Sequence, residues 1–384
     1  MDIEALRFAL LDLPACSEDT PFGEDVLTFR VLGKIFACID LNRPDRVVLH
    51  FSVALVDELR TRFVAVNPAY HWHKKYWVEI VLNQDVSDVY LLKLLRLSYA
   101  FVLYKLPKKQ QLAFFVSRLP REVIFRHLNV CGSTMENAWS LGDAACASSS
   151  YEMALVHADK QRHGRGQLGT IWDSASGENL TFSFAVAPSF LPINRSFCLL
   201  QTAAVALHQS LISFIPEDAE KLTIKWPNDI YYEDEKLCGT LIQNNFSEGI
   251  FRLSVIGIGL NVNQHHFPTY VPNPTSLSRV LHCELGRFVI LEEFITHFLS
   301  LFASLRNACQ SQPSSISPDE TAEKPIRDYY LRHLYRREGL YRWREGDNEF
   351  EASIHDVLPT GSLQLRLDSG ELRTYAFKEV QYIL

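Results

Sequence analysis

A glycine-rich segment at residues 164–169 (GRGQLG) limits the fold of this 384-residue chain more than any other feature. It fits the pattern G-x-G-x-x-G, which in a dinucleotide-binding fold opens a helix and precedes an acidic residue by about 20 positions. Residues 170–177 are poor helix starters, and residues 180–187 (LTFSFAVA) have the composition of a strand. The segment is therefore predicted to be a loop between two strands. Its backbone N–H groups and Arg165 suit a phosphate, although a surface hairpin without function explains it equally well.

Two further clusters carry polar or glycine residues at positions that need an explanation. Residues 225–229 (KWPND) are typical of a strand end followed by a sharp turn, because Asn and Asp commonly close turns. Residues 235–241 (EKLCGTL) follow shortly after and belong to the same cluster. Residues 255–263 (VIGIGLNVN) are predicted to be a buried strand whose glycines indicate a close approach to the backbone. Taken singly, the cluster at residues 225–241 also fits a structural hairpin with lysines on a solvated surface. The cluster at residues 255–263 also fits close strand–helix packing.

Charge and composition exclude several classes of protein. The chain has 38 Lys+Arg against 45 Asp+Glu, whereas a nonspecific nucleic-acid binder usually carries a basic excess. Its 47% hydrophobic and 22% charged residues exclude global disorder. No uncharged apolar run approaches the ~18 residues of a membrane span, and the N-terminus has no signal pattern. The eight cysteines form no CxxC pair. We therefore expect a cytoplasmic protein with no membrane partner and no metal site.

The periodicity of apolar residues predicts an α+β chain of three units. Residues 1–115 form a small α+β domain that ends near the polar run PKKQQ (107–111), and residues 116–334 alternate strands with helices. Residues 335–384 contain short strands, and the alternation within residues 363–368 (LQLRLD) is typical of a half-exposed strand in a small β-barrel. Because PKKQQ separates two apolar patterns, a fragment that begins near Phe114 is expected to keep the full activity of the second unit.

The order and spacing of the three clusters resemble the biotin protein ligase family. The resemblance covers about residues 125–384, and FKEV at 377–380 is similar to the end of the family's small C-terminal domain. It implies a biotin/lipoate ligase-like catalytic domain with helices around a central mixed β-sheet, followed by an SH3-like β-barrel. The implied activity is ATP-dependent ligation of biotin, via biotinyl-5'-AMP, to a specific lysine of a biotin carboxyl carrier protein or domain. ATP and biotin are the implied substrates, with Mg²⁺.

The resemblance also implies catalytic roles that agree with this chemistry. A carboxylate must attack the α-phosphorus of ATP, so cations are needed where the two anions meet. By resemblance, Arg165 and Lys236 are those cations, and Asp229 accepts or orients the proton of the acceptor lysine. The implied residues for binding biotin or the adenylate are Ser133, Thr134, Met135, Gln161, Gly164, Arg165, Gly166, Gln167, Trp172, Lys225, Asn228, Lys236, Gly239, Leu241, Gly257, Gly259 and Asn261.

Within this set the resemblance assigns the substrate parts. Ser133, Thr134 and Gln161 would satisfy the polar edges of biotin, and Gly239 with Leu241 would line its ring pocket. Trp172 would stack on adenine, and Asn261 would help to hold the nucleotide. Three positions depart from the usual family pattern. Met135 stands where Asn is common, Gln167 where a second arginine of the loop is common, and Gln243 where Glu is usual.

Residues 1–112 resemble the small MmcQ/YjbR family, for which DNA binding has been proposed. The resemblance rests on segments such as 21–23 (PFG), 33–36 (GKIF), 68–71 (PAYH) and 74–77 (KKYW), and it implies a CyaY-like α+β fold. This region contains 14 Lys+Arg and 14 Asp+Glu, so charge does not favour a nucleic acid partner. A protein-interaction or stabilising module explains it better. A biotinyl-AMP-responsive DNA-binding regulator stays open as the alternative, as does a homodimer.

Overall fold

The computed structural model describes residues 1–146, 151–164, 166, 172–311 and 323–383. The N-terminal elements are α1 (Ile3–Leu11), β1 (Ser17–Asp19), β2 (Val26–Val31), β3 (Lys34–Asp40), β4 (Arg46–His50), α2 (Val53–Arg62), β5 (Val66–Pro68), β6 (Trp77–Val81) and α3 (Asp88–Tyr104). The strands form one antiparallel sheet in the order β1-β2-β3-β4-β6-β5. Ser87 caps α3, its Oγ accepting a hydrogen bond from the backbone N–H of Tyr90.

The central unit is built on a mixed sheet. Its elements are α4 (Lys108–Arg118), β7 (Val123–Cys131), α5 (Thr134–Cys146), β8 (Met153–Gln161), β9 (Leu180–Val186), α6 (Phe197–Ile212), β10 (Leu222–Lys225), β11 (Asp229–Tyr232), β12 (Glu235–Ser247), β13 (Ile250–Leu260), α7 (Leu277–Leu281), α8 (Arg287–Ser311) and α9 (Lys324–Arg332). The described strands are ordered β10-β11-β12-β13-β9-β8-β7, with only the pair β7–β8 parallel. Helix α5 covers one face, and α8 covers the other. Every residue of β9 is buried because the strand is covered on both faces.

Helix α8 is the central helix of this core. By length and composition, Arg287–Gln310 could cross a membrane. In the fold, however, its apolar stripe is used for packing, since the Phe298 ring lies 4.6 Å from the ring of Phe184 on β9 and Phe302 contacts Phe190. Glu292 and Glu293 of this helix are partly buried, where they pair with Arg118 and Arg96 respectively.

The C-terminal unit is a separate antiparallel sheet around Trp343. It contains β14 (Tyr341–Glu345), β15 (Asn348–Val357), β16 (Leu363–Leu367), β17 (Leu372–Tyr375) and β18 (Gln381–Tyr382). Within the described residues the order is β17-β16-β15-β14-β18, which is consistent with a β-barrel-like domain. Leu363 and Leu365 are buried while Gln364 and Arg366 are not, so the predicted alternation is confirmed. Together with the mixed central sheet, this confirms the α+β fold class.

The polar run PKKQQ does not act as a linker. Pro107 precedes α4, and Lys108 begins the helix, so the border predicted at residues 115/116 lies inside α4. The Phe115 side chain is only 1% exposed and stacks on Phe288 of α8, with ring centroids 4.9 Å apart. The other predicted border, at 334/335, falls between α9 and β14. The ranges 1–115, 116–334 and 335–384 otherwise stay predictions.

The N-terminal sheet domain packs closely on the central unit through α3. The backbone N–H of Gly286 donates to the carbonyl oxygen of Ala100 at 2.9 Å, and the hydroxyl of Ser52 donates to the carbonyl oxygen of His282 at 2.6 Å. A Cβ at Gly286 would lie 3.1 Å from the Cβ of Leu103, so the backbones approach too closely for a side chain. Buried apolar residues continue without a break from one unit into the other. The expectation of two independent modules is therefore corrected: the units share a core.

We predict that the N-terminal and central units unfold together. A fragment that begins at Phe114 should melt about 5 °C or more below the full chain, because each lost kcal/mol lowers the melting temperature of a domain this size by roughly 2–4 °C. Thermal denaturation followed by circular dichroism and calorimetry checks this. A fragment that begins at Pro107 keeps the whole of α4, so its melting temperature should lie between those of the Phe114 fragment and the full chain. Two separate transitions in the full chain, one matching the fragment, would contradict a shared core.

Candidate active site

A pocket of about 320 Å³ opens where strands of the central sheet meet the start of α5 and the C-terminal barrel. Of the residues predicted from sequence, it is lined by Ser133, Thr134, Met135, Gln161, Gly166, Trp172, Asn228, Asp229, Lys236, Gly239, Leu241, Gly257 and Gly259. Arg165 and Gln167 lie outside the described residues. Gly164, Lys225 and Asn261 are described but do not line the pocket. The clustering is a structural fact, while the ligand-binding role of each residue stays a prediction.

One end of the pocket carries a fixed network of polar groups. The Oε1 atom of Gln161 accepts hydrogen bonds from the backbone N–H (2.7 Å) and the hydroxyl (3.0 Å) of Thr134. The Thr134 hydroxyl also lies 2.7 Å from the Oγ of Ser183, and all three side chains are at least partly buried. Because Oε1 is engaged, the amide orientation of Gln161 is set and its Nε2 donors remain for another partner.

The floor of the pocket is a patch of sheet that is rich in glycine. Gly239 of β12 pairs directly with Gly259 of β13 in the antiparallel ladder, and Leu241 pairs with Gly257. The Trp172 indole lies against this patch, so that a Cβ built on Gly259 would be 2.2 Å from its Cε2 atom. The side chain of Met135 covers Gly257, with Cγ 3.0 Å from the equivalent position. The predicted close approach to these glycines is thereby confirmed, and the approaching groups are Trp172 and Met135.

A carboxylate and an ammonium group form the charged part of the pocket. The Nζ of Lys236 lies 2.5 Å from Oδ2 of Asp229, and both side chains are about one-quarter exposed. Asp229 begins β11 directly after the predicted turn, which Asn228 stabilises by donating from Nδ2 to the carbonyl oxygen of Thr240 at 2.5 Å. The register between β11 and β12 shifts at Ile230/Tyr231, which places Lys236 beside this strand end. The pair is charged but remains open to a ligand.

Gly164 and Asn261 support the pocket from behind. A Cβ on Gly164 would lie 2.2 Å from the carbonyl oxygen of Trp172, whose backbone N–H donates to the Gly164 carbonyl at 3.1 Å. Asn261 is buried, and its Nδ2 donates to the carbonyl oxygen of Thr275 at 2.9 Å. That bond holds the end of the segment that carries Val271 and Pro272 to the pocket wall. Gly164 and Asn261 therefore do not line the pocket themselves. They position lining residues by contacts with the backbone of Trp172 and Thr275.

Lys225 lies in a cage of tyrosines at the junction with the barrel. Its Nζ is 4.3 Å from the ring centre of Tyr231, 5.7 Å from that of Tyr335 and 5.0 Å from that of Tyr382, and it donates to the Tyr231 hydroxyl at 3.1 Å. Burial lowers the pKa of this ammonium to about 8, an effect that the nearby Asp229 carboxylate partly opposes. The structure thus places Lys225 behind Asp229 rather than in the pocket.

Several lining residues were not identified from the sequence. They are Thr181, Phe182, Ser183, Thr240, Ile258, Val271, Pro272, Phe377 and Lys378. Ser183 had a usable signal, because it is a polar residue in the middle of a run that is otherwise almost entirely apolar, and it pairs with Gly257 across the sheet. Phe377 and Lys378 lay within the noted FKEV segment, but nothing in the sequence indicated that this turn reaches the pocket.

The arrangement suits a ligand with both polar and ionic groups. An apolar floor lies between the Thr134 network and the Asp229–Lys236 pair, so an elongated molecule can be held at both ends. Among the described residues, no group of three His, Cys, Asp or Glu side chains could hold a metal ion.

Comparisons with known proteins agree with this geometry. The model of the biotin/lipoate A/B protein ligase family matches residues 133–261, and the YjbR model matches residues 11–101. The bifunctional ligase/repressor BirA of Bacillus subtilis is 33% identical over 188 residues, which are 47% of this chain and 55% of that protein. The biotin–acetyl-CoA-carboxylase ligase of Paracoccus denitrificans is 27% identical over 220 residues, or 56% of this chain and 85% of that protein. The chain thus spans about half the length of the first of these relatives.

A solved structure shares the fold. The biotin protein ligase from Aquifex aeolicus in complex with biotin and ATP matches with a TM-score of 0.51 and 18% identity, covering 69% of this chain and 100% of that chain. At this identity the likeness concerns the fold, which includes the central mixed sheet and its C-terminal neighbour.

We predict that Lys225 makes stability depend on pH above neutrality. The pKa of its ammonium is about 8 in the folded chain against an ordinary 10.5, so the unfolded chain binds more protons between these values and stability rises with pH there. Below pH 8 both states are protonated and this contribution is constant. Urea denaturation at pH 7.5 and 9.5 should show wild type gaining stability relative to Lys225→Met. Lys221→Met, which removes a lysine that directly precedes the same hairpin and whose side chain is 40% exposed, should leave the pH dependence of wild type unchanged. The same change in pH dependence in both variants would contradict the prediction.

Proposed function

Because the chain joins a YjbR domain to a domain of the biotin/lipoate A/B protein ligase family, we propose that it is a biotin–protein ligase. The proposed reaction joins biotin to AMP and then passes it to a specific lysine of a biotin carboxyl carrier protein, such as that of acetyl-CoA carboxylase. The observation that carries the proposal is the pocket itself, in which a polar network and a charged pair lie at opposite ends of a glycine floor. A cytoplasmic location belongs to the same proposal.

Biotin fits the polar end of this pocket. Its ureido group needs donors and acceptors at fixed positions, which the Nε2 of Gln161 and the hydroxyls of Thr134 and Ser183 supply. The apolar rings would lie against Leu241 and the Met135 side chain, which covers Gly257. The carboxylate at the end of the biotin side chain would then point toward Lys236.

Adenylation requires two anions to meet. An oxygen of the biotin carboxylate attacks the α-phosphorus of ATP, the bond from that phosphorus to the bridging oxygen breaks, and diphosphate leaves with the electron pair. The Lys236 ammonium offsets the repulsion at this point, and the Asp229 contact fixes its position. Arg165 is proposed to supply a second cation, and Trp172 to stack on adenine. A mixed anhydride hydrolyses easily, so the site must keep water away from it.

Transfer requires a neutral amine. The side-chain amine of the acceptor lysine has an ordinary pKa of ~10.4, so almost every acceptor amine is protonated at pH 7. The Asp229 carboxylate is exposed enough to attract this ammonium and to accept its proton as the amine attacks the acyl carbon. AMP then leaves with the electron pair of the broken acyl–oxygen bond. The Asp229 carboxylate would therefore hold Lys236 in place during adenylation and accept the proton of the acceptor lysine during transfer.

Magnesium is proposed as a companion of ATP rather than a resident of the protein. The described residues contain no set of three metal ligands, and the pocket carboxylate Asp229 is paired with Lys236. Mg²⁺ is commonly bound through substrate phosphates and few protein ligands. None of the steps above is routed through it. The DNA-binding regulator and the homodimer gain no specific observation from the described structure, so the ligase is the function proposed.

The direct test is transfer of biotin to a purified carrier domain. The full chain, ATP, Mg²⁺ and biotin should produce a carrier that is heavier by one biotinyl group, and replacing the acceptor lysine of the carrier by Arg should abolish the product. Mass spectrometry measures both. Absence of biotinyl-AMP and of modified carrier, with a folded enzyme, would refute the proposal.

We expect Lys236→Ala to impair adenylation strongly. Loss of a charge-assisted contact to the reacting anions should cost on the order of 2–4 kcal/mol of transition-state stabilisation. The rate of diphosphate–ATP exchange measures this step. Glu235→Gln, which changes one charge on the neighbouring exposed residue, should exchange at the wild-type rate. Arg165→Ala is expected to behave like Lys236→Ala, and normal exchange in both would remove these cations from the mechanism.

Asp229→Asn should affect the second step more than the first. The amide retains the shape of the side chain but cannot take a proton, so single-turnover transfer from preformed biotinyl-AMP should slow by ~10²-fold or more. The affinity for biotin, whose polar end lies away from this residue, should change little. Rapid-quench kinetics over pH 6–9 measures transfer. If the variant transfers biotin at the normal rate throughout, Asp229 serves only to hold Lys236 and close the turn.

A further inference from the structure

The turn of the C-terminal barrel at residues 376–380 contributes to the pocket wall. Phe377 and Lys378 both line the pocket, although they are about 140 residues away in sequence from the Asp229–Lys236 pair. The Phe377 ring packs on Trp226, with centroids 5.7 Å apart, and Trp226 in turn donates from Nε1 to the carbonyl oxygen of Gly361 at 2.9 Å. The turn is therefore fixed to the same β10–β11 connection that presents Asp229.

Lys378 occupies an unusual backbone position within this turn. Its φ is +71°, in the left-handed region that favours glycine. The turn is held by the backbone N–H of Glu379, which donates to the Ala376 carbonyl (3.1 Å), and by the Glu379 carboxylate, which accepts from the Ala376 N–H (2.6 Å). The Glu379 carboxylate is thus directed at the backbone of its own turn. Within the described ranges the Lys378 ammonium forms no ion pair.

The charges of the pocket indicate which ligand group Lys378 can bind. Among the described lining residues, the charged side chains are Asp229, Lys236 and Lys378. The first two are paired at 2.5 Å and offset each other, so Lys378 supplies the uncompensated positive charge. ATP brings several negative charges, most of them on the β- and γ-phosphates. A lysine acts on phosphate as a point charge and does not need the planar geometry of arginine.

We propose that Lys378 binds the β- and γ-phosphates of ATP and the diphosphate that they become. The role rests on the proposed adenylation of biotin. When the bond between the α-phosphorus and the bridging oxygen breaks, the electron pair moves onto the diphosphate, whose added charge the Lys378 ammonium offsets. Biotinyl-AMP lacks these phosphates, so Lys378 has no part in transfer to the carrier. The barrel thereby supplies one substrate contact to a site otherwise built by the central sheet.

Nucleotide affinity tests the proposal without depending on turnover. Isothermal titration of the full chain with α,β-methylene ATP should show affinity that falls about 10-fold to 100-fold in Lys378→Gln, as expected for loss of a charged contact. AMP, which lacks the two phosphates, should bind wild type and variant equally. Lys378→Arg should retain most of the affinity, and Arg366→Gln, the same charge change on an exposed strand of the same barrel, should bind as wild type does.

Lys378→Gly separates the charge from the fold. Glycine adopts this φ without a Cβ penalty, so the variant should be at least as stable as wild type in thermal denaturation and still bind the ATP analogue weakly. Wild-type affinity for the analogue in Lys378→Gln or Lys378→Gly overturns the proposal, as does an equal loss for AMP. A variant that loses only carrier binding also overturns it and assigns the lysine to the carrier. A wild-type chain that binds neither nucleotide refutes the proposed ligase function itself.

Discussion

The pocket depends on two glycines that face each other across β12 and β13. Gly239 and Gly259 are direct partners in the ladder, so at that point the sheet has no side chains on the pocket face. Trp172 occupies the room above them, at a distance that no Cβ on Gly259 would allow. Antiparallel sheets normally cover such a face with side chains. Here the bare backbone allows the Trp172 indole, which itself lines the pocket, to lie directly on the sheet.

The charged groups reach this floor from different parts of the chain, and each is held by a structural contact. Asn228 closes the turn before Asp229, the shifted register of β11 and β12 sets Lys236 beside it, and the Trp226–Gly361 hydrogen bond holds the barrel. The tyrosine cage around Lys225 lies behind the same hairpin and joins it to the barrel. A site assembled in this way gains precision from its scaffold, because its groups are placed by strands and buried contacts rather than by long loops.

The N-terminal domain is part of the same packed body. Its α3 contacts the segment that contains His282 and Gly286, and that segment is tied to β13 because Leu285 and Asn263 exchange two hydrogen bonds of 2.9 Å. The polar composition of PKKQQ suggested a linker, but α4 begins there and buries Phe115. A short polar run gives no information on the apolar face that follows it one turn later, so sequence alone overestimated the independence of the domains.

The sequence alone determined the α+β class, the main helices and strands, and most of the pocket residues. The elements could be predicted because local periodicity reports which face of an element is buried. The pocket residues could be predicted because the order and spacing of the glycine and KWPND clusters resemble a known family. Tertiary structure alone decided which of these residues meet. Lys225 and Asp229 are near neighbours in sequence, yet the hairpin directs one to a tyrosine cage and the other to the pocket. Lys378 joins the site because the barrel docks beside it, which is a contact between distant segments that no local pattern encodes. Ser183 stands out locally as a polar residue in an apolar run, but only the packing of β9 and α5 brings it to Thr134.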